Sequence, residues 1–126
     1  MIIRRAADLH GTATHVRSEH WSSLRLLVRD DGMGFTITDT YLEAGMDQVI
    51  EYKHHAEACY CLEAQLTVED LATGEIHEIG PGSLYALDRH DRHRVRARTR
   101  VRLICVFRPP LAGTEVHRAD GSYEAN

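Results

Sequence analysis

Imidazole, carboxylate and thiol side chains are concentrated in two parts of the sequence, and together they indicate metal chemistry. One part holds His54, His55, Glu57, Cys59 and Cys61, and the other holds Asp88, His90 and His93. Neighbouring residues of a strand face opposite sides, so at most one of the two adjacent histidines can point inward. Cys59 and Cys61 share the face of Glu57 and could hold zinc with Cys105. Because C-x-C lacks the spacing of common zinc sites, small buried hydrophobic residues are the simpler interpretation.

The spacing of a further group of residues fits a metal-binding β-barrel of the cupin type. Such barrels show G-x5-H-x-H-x3-E-x6-G and, later, G-x5-P-x-G-x2-H-x3-N. On this chain the first motif falls on Gly45, Glu51, Lys53, Glu57 and Ala64, and the second on Gly74, Gly80, Gly82, Tyr85 and Arg89. Glu57 is retained, Tyr85 replaces a histidine, and His93 follows it. One carboxylate, one phenol and one imidazole suit iron, and three protein ligands leave positions open for substrate.

Each of these three residues also has an ordinary structural interpretation. A glutamate in a strand usually faces solvent, a tyrosine usually packs in the core with its hydroxyl bonded, and a histidine is usually a satisfied structural residue. Spacing alone leaves both interpretations open.

Length, composition and charge restrict the class of protein. The chain has 126 residues, so we expect one domain over residues 1–126. Hydrophobic residues make up 43% and charged residues 27%, which predicts a folded protein. The net charge of −4 argues against a nucleic-acid or anionic-membrane partner. Residues 1–20 lack the apolar core typical of a signal peptide, no apolar run approaches about 18 residues, and the three cysteines are an odd number, so we expect a soluble cytoplasmic protein with reduced thiols.

Short runs of alternating hydrophobicity predict strands along most of the chain. They cover residues 24–28, 35–42, 48–52, 58–62, 65–71, 75–79, 84–87, 92–98 and 101–107. Turn residues separate them, and Pro109 and Pro110 end the last one. Helical turns are expected only near residues 6–9 and 18–21. This pattern predicts an all-β fold, closed into a barrel or packed as a sandwich.

The clearest alternation is a series of arginines near the end of the chain. Arg92, Arg94, Arg96, Arg98, Arg100 and Arg102 are each two residues apart. A solvated outer face is the favoured interpretation, and a phosphate-binding ridge is the alternative. If the alternation continues across the corner at Arg98–Arg100, then His93, Cys105 and Phe107 point into the barrel.

Several long motifs resemble the ectoine synthase family along nearly the whole chain. They are Trp21-x3-Arg25, Asp30-Asp31-Gly32-Met33-Gly34-Phe35, Tyr52-Lys53-His54-His55-x-Glu57, Gly82-x2-Tyr85-x2-Asp88-x-His90-Asp91-x-His93, and Cys105-Val106-Phe107-x-Pro109-Pro110-x2-Gly113-x-Glu115-Val116-His117. The resemblance implies a cytoplasmic cupin enzyme, typically a homodimer, that makes the compatible solute ectoine. Such enzymes are hydro-lyases that close the ring of N-γ-acetyl-L-2,4-diaminobutyrate with loss of water.

The same resemblance assigns roles to residues by position. Glu57, Tyr85 and His93 would bind Fe2+, and the substrate pocket would consist of Trp21, Arg25, Thr40, Tyr52, Cys105, Phe107, Glu115 and His117. Tyr52, Tyr85, Glu115 and His117 are the candidates for proton transfer, because the attacking amine must lose a proton and the leaving hydroxyl must gain one. Arg25 would clamp the substrate carboxylate with its planar fork, while Trp21 and Phe107 exclude water.

The segment from Gly113 to His117, with the tail to Asn126, is expected either to cover the barrel as a lid or to be disordered after Gly121.

Three positions depart from the family. Glu51 stands where a histidine is expected, Ala64 where a glycine is expected, and Arg108 where an asparagine is expected. Glu51 would add negative charge near the site, and Ala64 would resist a positive φ. Two other functions therefore stay open: a non-catalytic cupin that binds ectoine or a related solute, and an enzyme acting on a related N-acetylated or amide compound.

Overall fold

Two antiparallel sheets account for most of the chain in a computed structural model, which describes residues 1–125. The strands are β1 His15–Arg17, β2 Trp21–Leu27, β3 Thr36–Leu42, β4 Met46–Ile50, β5 Ala56–Glu63, β6 Leu66–Asp70, β7 Ile76–Ile79, β8 Leu84–Leu87, β9 His93–Ala97 and β10 Val101–Arg108. One short helix, Ala6–Leu9, precedes them, and a 3-10 turn at Arg29–Asp31 joins β2 to β3. Neither of these described helical segments has the length and hydrophobicity to cross a membrane.

The strands of the two sheets are ordered so that sequence-distant residues meet in the core. The larger sheet runs β1-β2-β3-β10-β5-β8 and the smaller runs β4-β9-β6-β7. Buried side chains from both sheets, such as Leu103 on β10 and Val95 on β9, pack in one core. The predicted all-β fold is therefore confirmed, with a strand at each predicted position.

Two local predictions near the start of the chain have opposite outcomes. The helical turn at residues 6–9 is confirmed, but the one at residues 18–21 is wrong. Ser18 N donates to Trp21 O at 2.8 Å, which closes a tight turn between β1 and β2. Trp21 already pairs with Leu42 of β3, and its indole is buried. Burial of this large ring stabilises the strand, and β1 itself was too short to show a periodic pattern.

The arginine series lies on the outer face, as predicted. His93, Val95 and Ala97 of β9 are buried, as are Cys105 and Phe107 of β10, so the alternation continues through the corner. Arginines between them pair with carboxylates: Arg94 Nε lies 2.7 Å from the exposed Asp47 side chain, and Arg102 Nη2 lies 2.9 Å from the buried Asp39 side chain. These ion pairs favour the solvated face over a phosphate ridge.

Ala64, after the end of β5, has the backbone conformation that the missing glycine would adopt easily. Its φ is 62°, in the left-handed region. A Cβ in that region clashes with the following carbonyl and costs about 1 kcal/mol. The expected conflict at this position is therefore confirmed, and the chain keeps the turn despite it.

The C-terminal segment packs against the barrel as far as Tyr123. Leu111, Ser122 and Tyr123 are buried, and Glu51 N donates to Gly121 O at 3.2 Å. The sequence allowed two outcomes for the tail, an ordered cover over the barrel or disorder after Gly121. The burial of Ser122 and Tyr123 agrees with the ordered cover. Asn126 lies outside the described residues.

Candidate active site

The space between the two sheets contains a small cavity of about 40 Å³. Most of the predicted site residues line it: Trp21, Thr40, Tyr52, Glu57, Tyr85, His93, Cys105, Phe107 and His117. Arg25 and Glu115 are the two that do not. Apolar side chains such as Leu103 and Val95 complete the wall, so water has little access to the polar groups inside.

Glu57, Tyr85 and His93, called the metal group below, reach the cavity from three strands and from both sheets. Glu57 is on β5 and Tyr85 is on the neighbouring β8, where it pairs with Cys59. His93 begins β9 of the other sheet, and its ring centroid lies 6.4 Å from that of Tyr85. The three side chains therefore face one cavity although they are up to 36 residues apart in the sequence.

A backbone contact decides which nitrogen of His93 is free. Nδ1 lies 2.9 Å from Asp91 O, and a carbonyl oxygen can only accept, so Nδ1 carries the hydrogen. Nε2 then has a lone pair, and no described residue bonds to it. An imidazole oriented in this way by a backbone carbonyl is typical of metal ligands.

The carboxylate of Glu57 is buried without a cation. Its side chain belongs to a residue that is only 8% exposed, and none of the ion pairs among residues 1–125 includes it. Burial raises its pKa to about 7, against the opposing effect of the thiols of Cys59 and Cys105. Burial also raises the pKa of Tyr85 well above the usual value, and the nearby Cys59 and Glu57 add to this rise. A bound cation would remove the cost of ionising both groups, so this donor set fits a metal ion.

The cavity also has a side lined by sulfur. Glu57, Cys59 and Cys105 place a carboxylate oxygen and two Sγ atoms within 4.8 Å of one another, and all three residues are buried. His93 is not part of this compact group. Cys61 lies on the same face of β5, but its Sγ points to Glu63 O at 3.6 Å and Ala64 O at 3.5 Å. All three cysteines are free and buried, as the simpler interpretation predicts.

Tyr52, His117, Tyr123 and Arg25, called the tail network below, contact one another where the tail covers the barrel. The Tyr52 hydroxyl and His117 Nε2 share a hydrogen bond of 2.8 Å. The rings of His117 and Tyr123 are stacked, with centroids 4.7 Å apart and planes 10° apart. Burial lowers the pKa of His117 to about 4, and the positive charge of Arg25 contributes, so this imidazole is neutral at pH 7.

Arg25 lies directly behind the cavity wall, at 2% exposure. Its Nε donates to Ser23 Oγ at 3.0 Å, and its Nη2 donates to Glu115 O at 2.9 Å and to the Tyr123 hydroxyl at 3.3 Å. Nη1 is buried and has no partner among the described residues. Arg25 thus holds an unused donor next to two residues of the lining, Ser23 and Tyr123.

The carboxylate of Glu115 is used within its own loop. It accepts hydrogen bonds from Ala112 N at 2.7 Å and Gly113 N at 2.8 Å. Burial would raise the pKa of Glu115, but the backbone N–H groups of Gly113 and Ala112 outweigh it, and the pKa is lowered. In this geometry Glu115 shapes the loop and is a weak proton acceptor.

Other histidines and Glu51 lie at different distances from the cavity. Of the adjacent histidines, His55 is buried and His54 is exposed, so only one points inward, as expected. Glu51 does not line the cavity, although its neighbours Ile50 and Tyr52 do, and its backbone N–H donates to Gly121 O of the tail. His90 is also outside: its Nδ1 bonds to Tyr52 O at 2.7 Å and supports the backbone.

Four polar residues at or beside the cavity were not among the predicted iron ligands and pocket residues, although Cys59 and His55 had been considered as ligands of a metal. Ser23 shares a strand face with Trp21 and Arg25, so the alternation in β2 was an available signal. Cys59 likewise shares the face of Glu57. His55 packs against Phe107 and Tyr123, and neither of its ring nitrogens has a partner among the described residues. No feature of the sequence pointed to Tyr123, since the residues around it show no alternation of apolar and polar side chains.

The comparisons with known proteins cover the whole chain. The sequence model of the family described as ectoine synthase matches residues 1–126. The L-ectoine synthase of Desulfosudis oleivorans is 50% identical over 98% of this chain and 97% of its own. The crystal structure of ectoine synthase from P. lautus has a TM-score of 0.85 and 42% identity, and the match covers 90% of this chain and 81% of that one.

A more distant structure is informative about the fold alone. An RmlC-like cupin from Shewanella frigidimarina has a TM-score of 0.61 at 19% identity, over 73% of this chain and 78% of its own. Together with the closer match, this likeness confirms the predicted cupin-type barrel.

Proposed function

Because the chain belongs to the ectoine synthase family, we propose that its barrel closes N-γ-acetyl-L-2,4-diaminobutyrate to ectoine with Fe2+ held by Glu57, Tyr85 and His93. The family's activity makes the protein a carbon–oxygen hydro-lyase. In the reaction the α-amine attacks the acetamide carbonyl carbon, a C–N bond forms, and the carbonyl oxygen leaves as water. The single observation that supports the metal is the buried carboxylate of Glu57, which lines one cavity with a phenol and an imidazole and forms no ion pair with a cationic side chain of residues 1–125.

The ligand atoms that these three residues offer are of the kinds that iron binds. Two oxygen donors and one imidazole nitrogen suit Fe2+, and three protein ligands leave open positions. When bound, such an ion supplies Lewis acidity that makes the unreactive amide a better electrophile. The protein contributes the fixed His93 tautomer and a wall of apolar side chains that keeps bulk water away.

Arg25 is the proposed anchor for the substrate carboxylate. Its unpartnered Nη1 can donate without breaking the bonds that Nε and Nη2 already make. A planar guanidinium fixed at Ser23 orients a carboxylate better than a flexible lysine would. Trp21 and Phe107 then form apolar walls, and the Thr40 hydroxyl, 3.2 Å from Ser23 Oγ, provides a polar contact between them.

His117 and Tyr52 are the proposed proton-transfer pair. His117 is neutral, lines the cavity and is bonded to the Tyr52 hydroxyl, so a proton taken from the amine can be shared between them. A carboxylate bound at Arg25 would offset the positive charge that lowers the His117 pKa, and would make this imidazole a stronger base when substrate is present. Glu115, held by two backbone N–H groups, is less suited to the role.

The tail must move for substrate to bind. A cavity of about 40 Å³ holds only a few water molecules, much less than an acetylated diamino acid occupies. Tyr123 is the part of the tail that lines this cavity, and it is held by stacking and by a long hydrogen bond rather than by a strand. We therefore propose that segment 118–125 opens as a lid and closes over the bound substrate.

An anaerobic assay with added Fe2+ tests the proposal. Purified protein is given N-γ-acetyl-L-2,4-diaminobutyrate, the cyclic product is separated by chromatography, and bound iron is measured in the same samples. We expect Glu57→Ala, Tyr85→Ala and His93→Ala each to lose both iron and turnover, because each removes a ligand. Arg96→Ala on the outer face is the control and should keep both. Parent-like iron content and turnover in all three variants would refute the metal assignment, and tight ectoine binding without turnover in the parent would indicate a solute-binding protein.

The homodimer and the cytoplasmic location implied by the family stay predictions. Light scattering of the purified chain in solution tests the first, and fractionation of the source cells tests the second.

A further inference from the structure

Two cysteines stand directly opposite each other inside the cavity, and the proposed reaction does not use both. Cys59 on β5 and Cys105 on β10 are Cα partners in the antiparallel pair. Cys59 is 1% exposed and Cys105 is 3% exposed. Because both face inward from neighbouring strands, their thiols project toward the same point.

That point also holds a carboxylate. An oxygen of Glu57 and the two Sγ atoms all lie within 4.8 Å of one another. A zinc ion binds thiolate sulfur at about 2.3 Å and carboxylate oxygen at about 2.0–2.2 Å, so in tetrahedral geometry its ligand atoms lie about 3.5–3.8 Å apart. The three side chains therefore need at most small rotations to share an ion, and rigid strands hold their backbones in place.

We propose that Glu57, Cys59 and Cys105 form a second metal site, which takes a soft divalent ion such as Zn2+ or Cd2+. This thiolate site, as we call it below, differs in chemistry from the metal group, because sulfur donors select soft ions whereas oxygen and nitrogen donors suit iron. Binding exchanges the two thiol protons for the ion, and the protons leave to solvent without any change of oxidation state.

The two sites share Glu57, so an ion in one competes for the carboxylate that the other needs. A soft ion in the thiolate site would occupy the carboxylate that the metal group needs, so it would block iron uptake and act as an inhibitor. The selectivity for iron then depends on which ion reaches Glu57 first and binds more tightly. The thiolate site itself rests only on the geometry of the three side chains, whereas its inhibitory effect rests on the proposed iron-dependent function.

Cys61 supplies a matched control for the thiolate site. It lies two residues after Cys59, on the same face of the same strand, and it is 0% exposed. Its Sγ is directed to the backbone oxygens of Glu63 and Ala64 instead of to Glu57. Loss of the Cys61 thiol should therefore leave the site intact.

Cadmium is the probe for the test, since its thiolate complexes absorb in the ultraviolet. Metal-free His93→Ala protein, which has an incomplete metal group and an intact thiolate site, is titrated with Cd2+. We expect a thiolate charge-transfer band that saturates at one ion per chain. The band should persist when the Cys61→Val substitution is also made in the His93→Ala protein. A Cys59→Val or Cys105→Val substitution in the same protein should weaken Cd2+ binding by at least about tenfold, because each removes one of three ligands.

The outcomes are decisive in both directions. Absence of the band, its persistence after Cys59→Val, or its dependence on Cys61 would overturn the proposal. Circular dichroism of each variant checks folding, and the alanine substitution at the same position replaces any valine variant that unfolds. A second measurement uses the unmodified chain: Cd2+ added first should prevent iron binding in the parent and should do so at least about tenfold less effectively in Cys59→Val. Failure of iron to bind at all would count against the proposed function and leave the cadmium band as a separate result.

Discussion

The metal group and the tail network adjoin the same cavity, but they differ in the hydrogen bonds that their polar atoms make to one another. In the tail network, Tyr52 bonds to His117, and Arg25 bonds to Tyr123. In the metal group no hydrogen bond joins Glu57, Tyr85 and His93 among the described residues, although all three are close and screened from water. Apart from Arg25 Nη1, the tail network is thus bonded within the protein, whereas in the metal group the Glu57 carboxylate has no cationic partner and His93 Nε2 has no hydrogen bond among the described residues.

The difference follows from the elements that carry each region. Strands of two sheets fix the metal group, and their backbones cannot move to relieve the buried carboxylate. The tail network depends on residues after β10, which are held by a few contacts and can exchange them for contacts with a substrate. A rigid region with a buried carboxylate and a free imidazole nitrogen suits an ion, and a movable region with one spare donor suits a ligand that comes and goes.

The comparison predicts a large pH effect at Glu57 in the metal-free protein. Its pKa is raised from 4.5 to about 7, so between these values the folded state holds a proton that the unfolded state has lost. The free energy of unfolding should then fall as pH rises from about 4.5 to 7, by up to about 3 kcal/mol in total. Glu57→Gln should abolish this fall and be the more stable protein at pH 7. Urea unfolding at several pH values measures it, and identical pH profiles of parent and variant would contradict the prediction.

His117 should have the opposite effect in a nearly equal range. Its pKa is lowered from 6.5 to about 4, so between these values the unfolded state binds a proton that the folded state does not. The free energy of unfolding should rise as pH rises from about 4 to 6.5, by about 2 kcal/mol, less than for Glu57 because His117 is only partly buried. His117→Gln should remove this rise, which the same urea series detects. If Glu57→Gln and His117→Gln changed the pH dependence of the free energy of unfolding in the same direction, the two regions would not be electrostatically distinct.

Gly121→Ala tests the lid separately from the metal group. The residue has φ +83°, and a Cβ there would lie 2.8 Å from Val49 O and 3.0 Å from Ile50 Cα, so the tail must shift. We expect KM to increase about tenfold while bound iron stays constant, since the substrate loses contacts and the metal group does not change. Gly74→Ala is the matched control, because its φ is +78° but nothing lies within 4 Å. Steady-state kinetics and iron analysis of both variants give the answer, and an iron loss in Gly121→Ala would mean that the two regions are coupled.

Ala64→Gly should have the smallest effect and leave both regions unchanged. Glycine relieves the strain at φ 62°, which predicts a gain of about 0.5–1 kcal/mol in the free energy of unfolding. Ala58→Gly, in the middle of β5, should instead lower stability by a similar amount. Denaturant midpoints compare the two, and a destabilised Ala64→Gly would contradict the account of this turn.

Much of the barrel and part of the site could be predicted because strand alternation is local. A side chain two residues along a strand returns to the same face, so the positions of His93, Cys105 and Phe107 followed from the order of residues. The failure at residues 18–21 has a different cause. Trp21 joins a strand because its indole is buried in a core that forms from distant residues, and a local pattern carries no information about that core.

What the sequence determined by itself is therefore the family, the barrel, and the inward faces on which Glu57, Tyr85 and His93 lie. Only the tertiary structure decided which groups meet. The register of β5 against β10 brings Cys59 opposite Cys105, and the path of the tail stacks Tyr123 on His117. Alternation follows from the geometry of one strand, whereas register and tail packing arise from contacts between segments far apart in the chain, so they appear only when the whole core is assembled.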